Sequence, residues 1–581
     1  MKATQEYMKR YKRIQREKKE QNDGIKAAIL SSFTIKGLKE ILTVEAAEEG
    51  IALEIYEGEY NQIPQEILEE QSGMRQYNPD IIFVLWDARS FFGNYYFDAY
   101  GYTVDERKEY IEEKIAEMKQ WIAVVSEKFH SMIVWNNMCL PDYSPVGILD
   151  AKQEFGLIES MEYFNIQLRQ QIKTKENVYL YDFNRFCAGI GYRNIQDDKM
   201  YYFGDMKVAL EHMPHLAKEY MAYIRSFQGK NKKCLVLDLD NTLWGGIVGE
   251  DGIDGIKIGL HYEEKPYYEF QQYILSLYHR GIILAINSRN NEEDVMEVFR
   301  NHKYMVLKEE HFAAMRINWK DKASNLKELA QELNIGLDSM VFVDDDIVNC
   351  ELVRRELPEV LTLQMPDRPE KILPFFKEWH MFDSLQFTVE DQKKNEMYAA
   401  QKKRNHLKSI SLDIDAYIRS LEIKTKLYPL NEKNIQRVAQ LTKKTNQFNL
   451  TTRRYTERDL QRMQEEGCLV ECIEVTDKFG DNGITGVLIC KYESEEKKVI
   501  VDSMILSCRV MGRKIEDILL RRVENYAREK MAKGIEGIYI ATPKNKAVEQ
   551  LYGRFGYKKV REEELEEGHA VYWWKEIIRK G

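Results

Sequence analysis

The stretch from Lys232 to Gly246 reads KKCLVLDLDNTLWGG, a short apolar run that ends in two aspartates two residues apart. The CLVLDL run is apolar and β-branched enough for a strand buried on both faces, as in a parallel sheet covered by helices. Alternation along that strand puts Asp238 and Asp240 on one side, where one carboxylate can attack phosphorus while the other handles a proton. The Asn-Thr-Leu-Trp-Gly-Gly that follows is a turn leaving the carboxyl end of the sheet. Open α/β sheets bind their ligands there.

The downstream chain supplies the other parts of a phosphoryl site in order. KPYYEFQQYILSLYHRGI has a helical pattern and leads to IILAINSRN, an apolar strand ending in Ser288, whose hydroxyl can hold a phosphoryl oxygen. Lys320 and Lys322, in NWKDKASNL, stand just ahead of a further helix, where either ammonium can neutralise nucleophile and phosphate. MVFVDDDIVN then sets Asp344, Asp345 and Asp346 at the end of a third strand. Carboxylates crowded there repel unless a cation sits among them, and hard oxygen ligands beside a phosphate suit Mg²⁺.

This order resembles the haloacid dehalogenase (HAD) superfamily of aspartyl-phosphate enzymes, with DLDNT standing as its DxDxT motif. The resemblance implies that Asp238 is the nucleophile and Asp240 the general acid/base. It implies phosphate binding by Thr242, Ser288 and Lys322, with Lys320 the alternative lysine, and Mg²⁺ held by Asp238, Asp240 and Asp345. Asp344 and Asn349 are further candidates, as ligands or as supports, and the triple leaves open which aspartate meets the metal.

A chain of 581 residues exceeds what one hydrophobic core organises. Three domains fit the motifs, over 1–229, 230–385 and 420–581, with a charged helical linker over 386–419. The net charge of -10 offers no general attraction for nucleic acid, and no uninterrupted apolar stretch is long enough to span a bilayer. Neither is an expected partner. The N-terminus lacks the apolar core of a signal peptide, and the eight cysteines follow no disulfide or zinc spacing, so the expected setting is cytoplasmic.

From about Ala27 to Tyr223 the chain alternates strands and helices, which argues an α/β domain with a parallel sheet. The order resembles SGNH-type hydrolases, which need a serine after the first strand and an Asp-x-x-His pair near the end. Ser31 and Ser32 lie in the right neighbourhood without the Gly-Asp-Ser turn, and His212 and His215 lack an aspartate at that spacing. The expectation is a domain inactive as a hydrolase that recognises a carrier or substrate.

Past the linker, FGDNGITGVLICKYESEEKKVIVDSMILSCRV reads as successive strands joined by turns containing Asn-Gly or charged residues. CRVMGRKIEDILLRRVENYARE then passes from strand into an amphipathic helix. These segments resemble the N-acetyltransferase (GNAT) fold, whose acyl-CoA loop Q/R-x-x-G-x-G/A is matched by Arg509 and Gly512, with Lys514 in the final small position. ATPKNKAVEQLYGRFGYKK is similar to the GNAT ending through Asn545, Ala547, Tyr552, Gly556 and Tyr557. The resemblance implies handling of acyl-CoA or an acyl thioester at Arg509, Gly512, Asn545 and Tyr552, with docking as the alternative.

Taken together, LDLDNTLWGGIVGEDGIDGI between those flanking domains resembles the FkbH-like HAD proteins of subfamily IIIC. The implied fold class is multidomain α/β: an SGNH-like α/β domain, a Rossmann-like HAD domain with a minimal cap, and a GNAT-like α+β domain. The implied function is removal of phosphate from 1,3-bisphosphoglycerate, a small phosphorylated C3 substrate, and transfer of its glyceryl unit. The implied acceptor is the phosphopantetheine thiol of an acyl carrier protein, as in polyketide biosynthesis. Cys234, four residues before Asp238, reads as buried packing; Cys350, beside the acidic triple, and Cys508, beside the acyl-CoA loop, lie nearer such chemistry, and none is assigned a catalytic role. Two other classes remain open: a phosphatase and acyltransferase acting on a sugar phosphate in surface-polysaccharide assembly, and a non-catalytic carrier-docking scaffold.

Overall fold

The computed structural model describes residues 2–17, 24–386, 404, 407, 413–565 and 568–577. Most of the charged linker expected over 386–419 lies outside the described residues. The chain divides into two compact units, Met1–Phe227 and Gln228–Gly581.

In the first unit, β1 (Ile25–Ser31), β2 (Leu53–Glu57), β3 (Ile81–Leu85), β4 (Met132–Asn136) and β5 (Val178–Tyr181) form a parallel sheet in the order β2-β1-β3-β4-β5. The runs IIFVL and MIVWN are buried at every position, which is why they read as continuous apolar segments and not as alternating ones. Helices such as Val104–Lys128, opened by a Thr103–Glu106 capping box, connect the strands. The aromatic stretch RSFFGNYYFDAYGY is largely core. Phe91, Phe92 and Tyr95 are buried, and Trp86 stacks on Trp121 with ring centroids 5.1 Å apart.

The second unit holds two sheets. β6 (Cys234–Leu237), β7 (Ile283–Ser288), β8 (Phe312–Ile317), β9 (Met340–Asp344) and β10 (Leu361–Gln364) are parallel in the order β10-β9-β6-β7-β8. The order reverses at β6, whose Leu237 pairs with Ile286 on one side and Val343 on the other. Connections leave β6 toward opposite faces, so a crevice opens at its carboxyl end. Between β6 and the helix Lys265–His279 lies one short helix, Val248–Gly255, with Gly245 bridged to Lys257.

The other sheet contains β11 (Lys424–Pro429), β12 (Leu469–Asp477), β13 (Gly480–Glu493), β14 (Lys498–Leu506), β15 (Gly534–Ile540), β16 (Lys558–Leu565) and β17 (Gly568–Glu576). Its order is β11-β12-β13-β14-β15-β17-β16, antiparallel except for the β14–β15 pair. The Asn-Gly expected in a turn lies inside β13 instead. Asp477 pairs with Gly480, so Lys478 and Phe479 make the hairpin turn. Gly483, at φ 65°, falls where the β12–β13 register shifts, a bulge that needs the same left-handed backbone as a turn.

β14 and β15 pair only over Lys498–Val501 and Gly534–Gly537, and then part. The segment Phe448–Leu450 enters the gap. Leu506 N donates to Phe448 O (3.0 Å), Leu450 N to Met504 O (3.2 Å), and Ile540 N to Leu450 O (2.8 Å). The chain has thus inserted a short strand of its own between the two that splay.

Candidate active site

The carboxyl end of β6 delivers Asp238, whose main-chain N–H donates to Val343 O (2.9 Å) as the last tie to β9. Lys322, first residue of the helix Lys322–Leu333, reaches across to it. Its Nζ lies 2.7 Å from Asp238 Oδ1 and 2.9 Å from Asp344 Oδ2, and donates to Asn287 O at 2.7 Å. The Lys322 side chain is 1% exposed, whereas Lys320 is 61% exposed and pairs with Glu328 at 3.0 Å. Of the two candidate lysines, the structure brings Lys322 to the aspartates.

Burial by itself would lower the Lys322 pKa, but Asp238 and Asp344 outweigh it and hold the ammonium above its ordinary value. Asp344 is raised, first by burial and then by Asp238, against the pull of Lys322. Asp345 is pushed up to about 6 by burial and then by Asp238 and Asp344. One carboxylate oxygen from each of Asp238, Asp344 and Asp345 lies within 4.8 Å of the other two. Lys322 pairs with Asp238 and Asp344, so three carboxylates are gathered around a single ammonium that meets two of them. The excess negative charge, hard oxygen donors and partial burial fit a divalent cation such as Mg²⁺. Asn349 supports the group by donating to both oxygens of Asp344 at 3.3 and 3.4 Å.

The Asp240 carboxylate stands apart from that cluster. Its Oδ1 accepts from Trp244 Nε1 (2.9 Å) and Val248 N (3.1 Å), and its Oδ2 accepts from Asn290 Nδ2 (3.0 Å). Trp244 is fully buried, so the indole fixes the Asp240 side chain from the core side. The turn that makes this possible uses Asn241 at φ 52° and Gly246 at φ 92°, with Gly246 N donating to Asn241 Oδ1 at 2.9 Å. Asn290 Nδ2 also donates to Ser288 Oγ at 3.1 Å, linking the β7 end to Asp240. Thr242 is buried, and its hydroxyl has no hydrogen-bond partner among the described residues.

In the other sheet, the candidate thioester residues are committed to structure. Asn545 Nδ2 donates to Asn449 O and Ile540 O, both at 2.9 Å, and its Oδ1 accepts from Thr542 N at 2.8 Å. It therefore seals Phe448–Leu450 into the β14–β15 gap. Thr451 Oγ1 and Ser503 Oγ, 2.9 Å apart, extend the seal. Gly512 has φ 73° and Lys514 φ 59°, and Lys514 pairs outward with Asp415 at 2.7 Å. Arg513, between them, is buried on Asp477, which also binds Arg404. The helix that follows opens with Glu516 and Asp517, charges adverse to a pyrophosphate at its amino end. Tyr552 is fully buried beneath Gly537.

Residues 26–225 match the family described as FkbH, N-terminal domain, and residues 233–386 match the NLI interacting factor-like phosphatases. Among solved structures, the chain is similar to the N-terminal part of a Bacteroides fragilis protein containing a phosphatase domain complexed with Mg. Identity is 27% at a TM-score of 0.60, over 65% of this chain and 99% of that one. The two matched domains together are consistent with an FkbH-like HAD protein. A search of curated proteins finds no match for this FkbH-like chain. The chain is also similar to an Escherichia coli ribosomal-protein-S18-alanine N-acetyltransferase at 12% identity, over 27% of this chain and 97% of that one, with a TM-score of 0.22. An N-acetyltransferase from Staphylococcus aureus Mu50 aligns at 11% identity, over 27% of this chain and 99% of that one, with a TM-score of 0.23.

In this FkbH-like protein, then, Asp238, Lys322, Asp344, Asp345 and Asn349 converge, with Ser288 and Asp240 joined through Asn290. Four supporting residues were not singled out from sequence: Trp244, Val248, Asn287 and Asn290. Asn290 carried a signal, since it stands two residues after Ser288. Cys350 is pushed up to about 12 by burial and then by Asp344, far from a reactive thiolate. In the first unit, Ser31 Oγ accepts from Phe33 N and Ser32 Oγ from Asp87 N, and neither hydroxyl bonds a histidine. His212 Nε2 lies 3.0 Å from Asn194 O.

Proposed function

We propose that this protein is a Mg²⁺-dependent phosphatase of the aspartyl-phosphate type that works on a glyceryl phosphate donor, 1,3-bisphosphoglycerate, and passes the glyceryl unit to an acyl carrier protein thiol. The observation that carries the reading is Lys322 Nζ on Asp238 Oδ1, which leaves Oδ2 as the oxygen free to attack. Mg²⁺ held by Asp238, Asp344 and Asp345 would offset the charge that keeps a carboxylate from approaching phosphate. Asp238 Oδ2 bonds to phosphorus as the ester P–O bond breaks, and Asp240, oriented by Trp244 and Asn290, protonates the departing oxygen. Asp240 then takes a proton from water, whose oxygen attacks phosphorus as the Asp238 Oδ2–P bond breaks, which releases phosphate and restores the carboxylate. Ser288 and Thr242 would hold the phosphoryl oxygens.

The donor carries both a phosphate ester and an acyl phosphate. Removing the ester leaves the acyl group activated, and attack of a thiolate on its carbon expels the second phosphate. An apolar rim supports a macromolecular acceptor: Ile247 after β6, Trp319 (72% exposed) after β8, and Ile347 and Val348 (69% exposed) after β9. The short Val248–Gly255 insertion, read as a minimal cap, leaves this rim uncovered. We read domains at 1–229, 230–385 and 420–581, the first an SGNH-like recognition domain without hydrolase activity and the last GNAT-like. A cytoplasmic setting accords with the lack of any helix among the described residues long and apolar enough to cross a membrane.

The test is phosphate release from 1,3-bisphosphoglycerate with Mg²⁺, together with the mass of a holo-carrier protein. Release that falls at least about a thousandfold in Asp238→Asn, with a glyceryl-sized gain on the carrier, supports the reading. Release without any gain on a carrier would leave a phosphatase and reject the transfer.

A further inference from the structure

At the end of the β6 sheet opposite Asp238, a cavity of about 340 Å³ lies against the C-terminal sheet. Its walls come from five places, one of them the helix Ile435–Lys444 with the turn that follows it. Lys233 precedes β6, and Asn334–Ser339 precede β9; Ser507–Arg509 follow β14, and Pro543–Lys544 follow β15. Lys233 and Asp238 are five residues apart on one strand, roughly 16 Å by strand rise, so the cavity is separate from the phosphoryl site.

The lining is strongly cationic. Lys233, Arg437, Lys444, Arg509 and Lys544 contribute to it, against Asp338 as the acid present. Asp338 already pairs with Lys544. Lys233 Nζ donates to a main-chain carbonyl, Lys444 O, at 3.1 Å, and among the described residues makes no ion pair with a carboxylate. Burial pushes its ammonium below the ordinary value, the condition of a cation that lacks a counter-charge. The volume is at the small end of the roughly 300–1,000 Å³ typical of ligand sites.

We propose that this cavity binds a small polyanion, with phosphate or carboxylate groups set among Lys233, Arg509 and Lys544. An anion there would supply the charge Lys233 lacks and join the two sheets of the second unit through residues of both. The site does not depend on the chemistry at Asp238.

The probes are pyrophosphate and citrate, titrated calorimetrically into the full chain without magnesium at low salt. The expected result is one site whose affinity falls with added salt, weakens about fivefold in Lys544→Gln and in Arg509→Gln, and tightens in Asp338→Asn. Preference for pyrophosphate or for citrate assigns the group recognised. Lys233→Met should raise the melting temperature of the free chain while lowering its affinity, opposite signs that a misfolded variant would not give. Asp344→Asn, at the other end of the sheet, should leave binding unchanged. No binding of either anion, binding indifferent to these cavity substitutions, or binding abolished by Asp344→Asn would overturn the proposal.

Discussion

The ends of β6 and of β14 are both places where a strand parts from its neighbour, and the chain treats them oppositely. At β6, the opening is kept free and lined with side chains whose charges are not balanced within the protein. At β14, the opening is filled by Phe448–Leu450, and Asn545 spends its hydrogen bonds on keeping it filled. A topological position for a ligand is thus only an opportunity. What makes a site is polar groups left uncommitted, and by that measure β6 has a site and the β14–β15 gap has a closure.

The contrast can be tested by substitution. The largest effect should follow Lys322→Met, which leaves Asp238 and Asp344 facing each other without their ammonium. We expect a loss of about 3–5 kcal/mol in denaturant unfolding, partly recovered by Mg²⁺. If magnesium recovers nothing, the carboxylates do not hold it. Asn545→Ala should cost about 2 kcal/mol, because it strips partners from Asn449 O and Ile540 O inside the sheet. A neutral result would mean that the inserted strand is not structural. Trp244→Phe keeps the buried ring but removes the donor to Asp240. Phosphate release should fall about tenfold, because the general acid loses the donor that orients it.

Asp345 provides a pH-dependent test. In the folded chain without metal it holds a proton up to about 6, against 3.8 for an ordinary aspartate. Between those values the unfolded chain binds fewer protons, so this group lowers stability as pH rises through the window. Asp345→Asn should remove that decline and raise the metal-free melting temperature at pH 7, while weakening Mg²⁺ binding in calorimetry. The smallest expected effect belongs to the other region: millimolar acetyl-CoA should shift the melting temperature by less than about 1 °C. A clear rise would show that Phe448–Leu450 can vacate the gap, and the contrast would fail.

Much of the β6 site was legible because a strand's alternation and its chemistry coincide in DLDNT, and because each further part ends an apolar run. The choice between Lys320 and Lys322 was not. Lys320 precedes the helix and Lys322 opens it, and only the helix start places Lys322 inward while Lys320 stays with Glu328 at the surface. Within the aspartate triple, Asp344 is the last residue of β9 and lies deepest; Asp346 caps the next helix through Val348 N. Trp244 reads as part of the turn after β6, and nothing local announces that its N–H serves Asp240. The filled gap was beyond sequence reading altogether, since it depends on hydrogen bonds from Leu450 to Met504 and Ile540, far along the chain.

That inserted strand also sets an order of events during synthesis. Leu450 leaves the ribosome well before Met504 and longer still before Ile540, so it must wait with its backbone groups unpaired until both partners arrive. The C-terminal sheet can close only near the end of translation, and a nascent chain halted within β15 would carry the gap open.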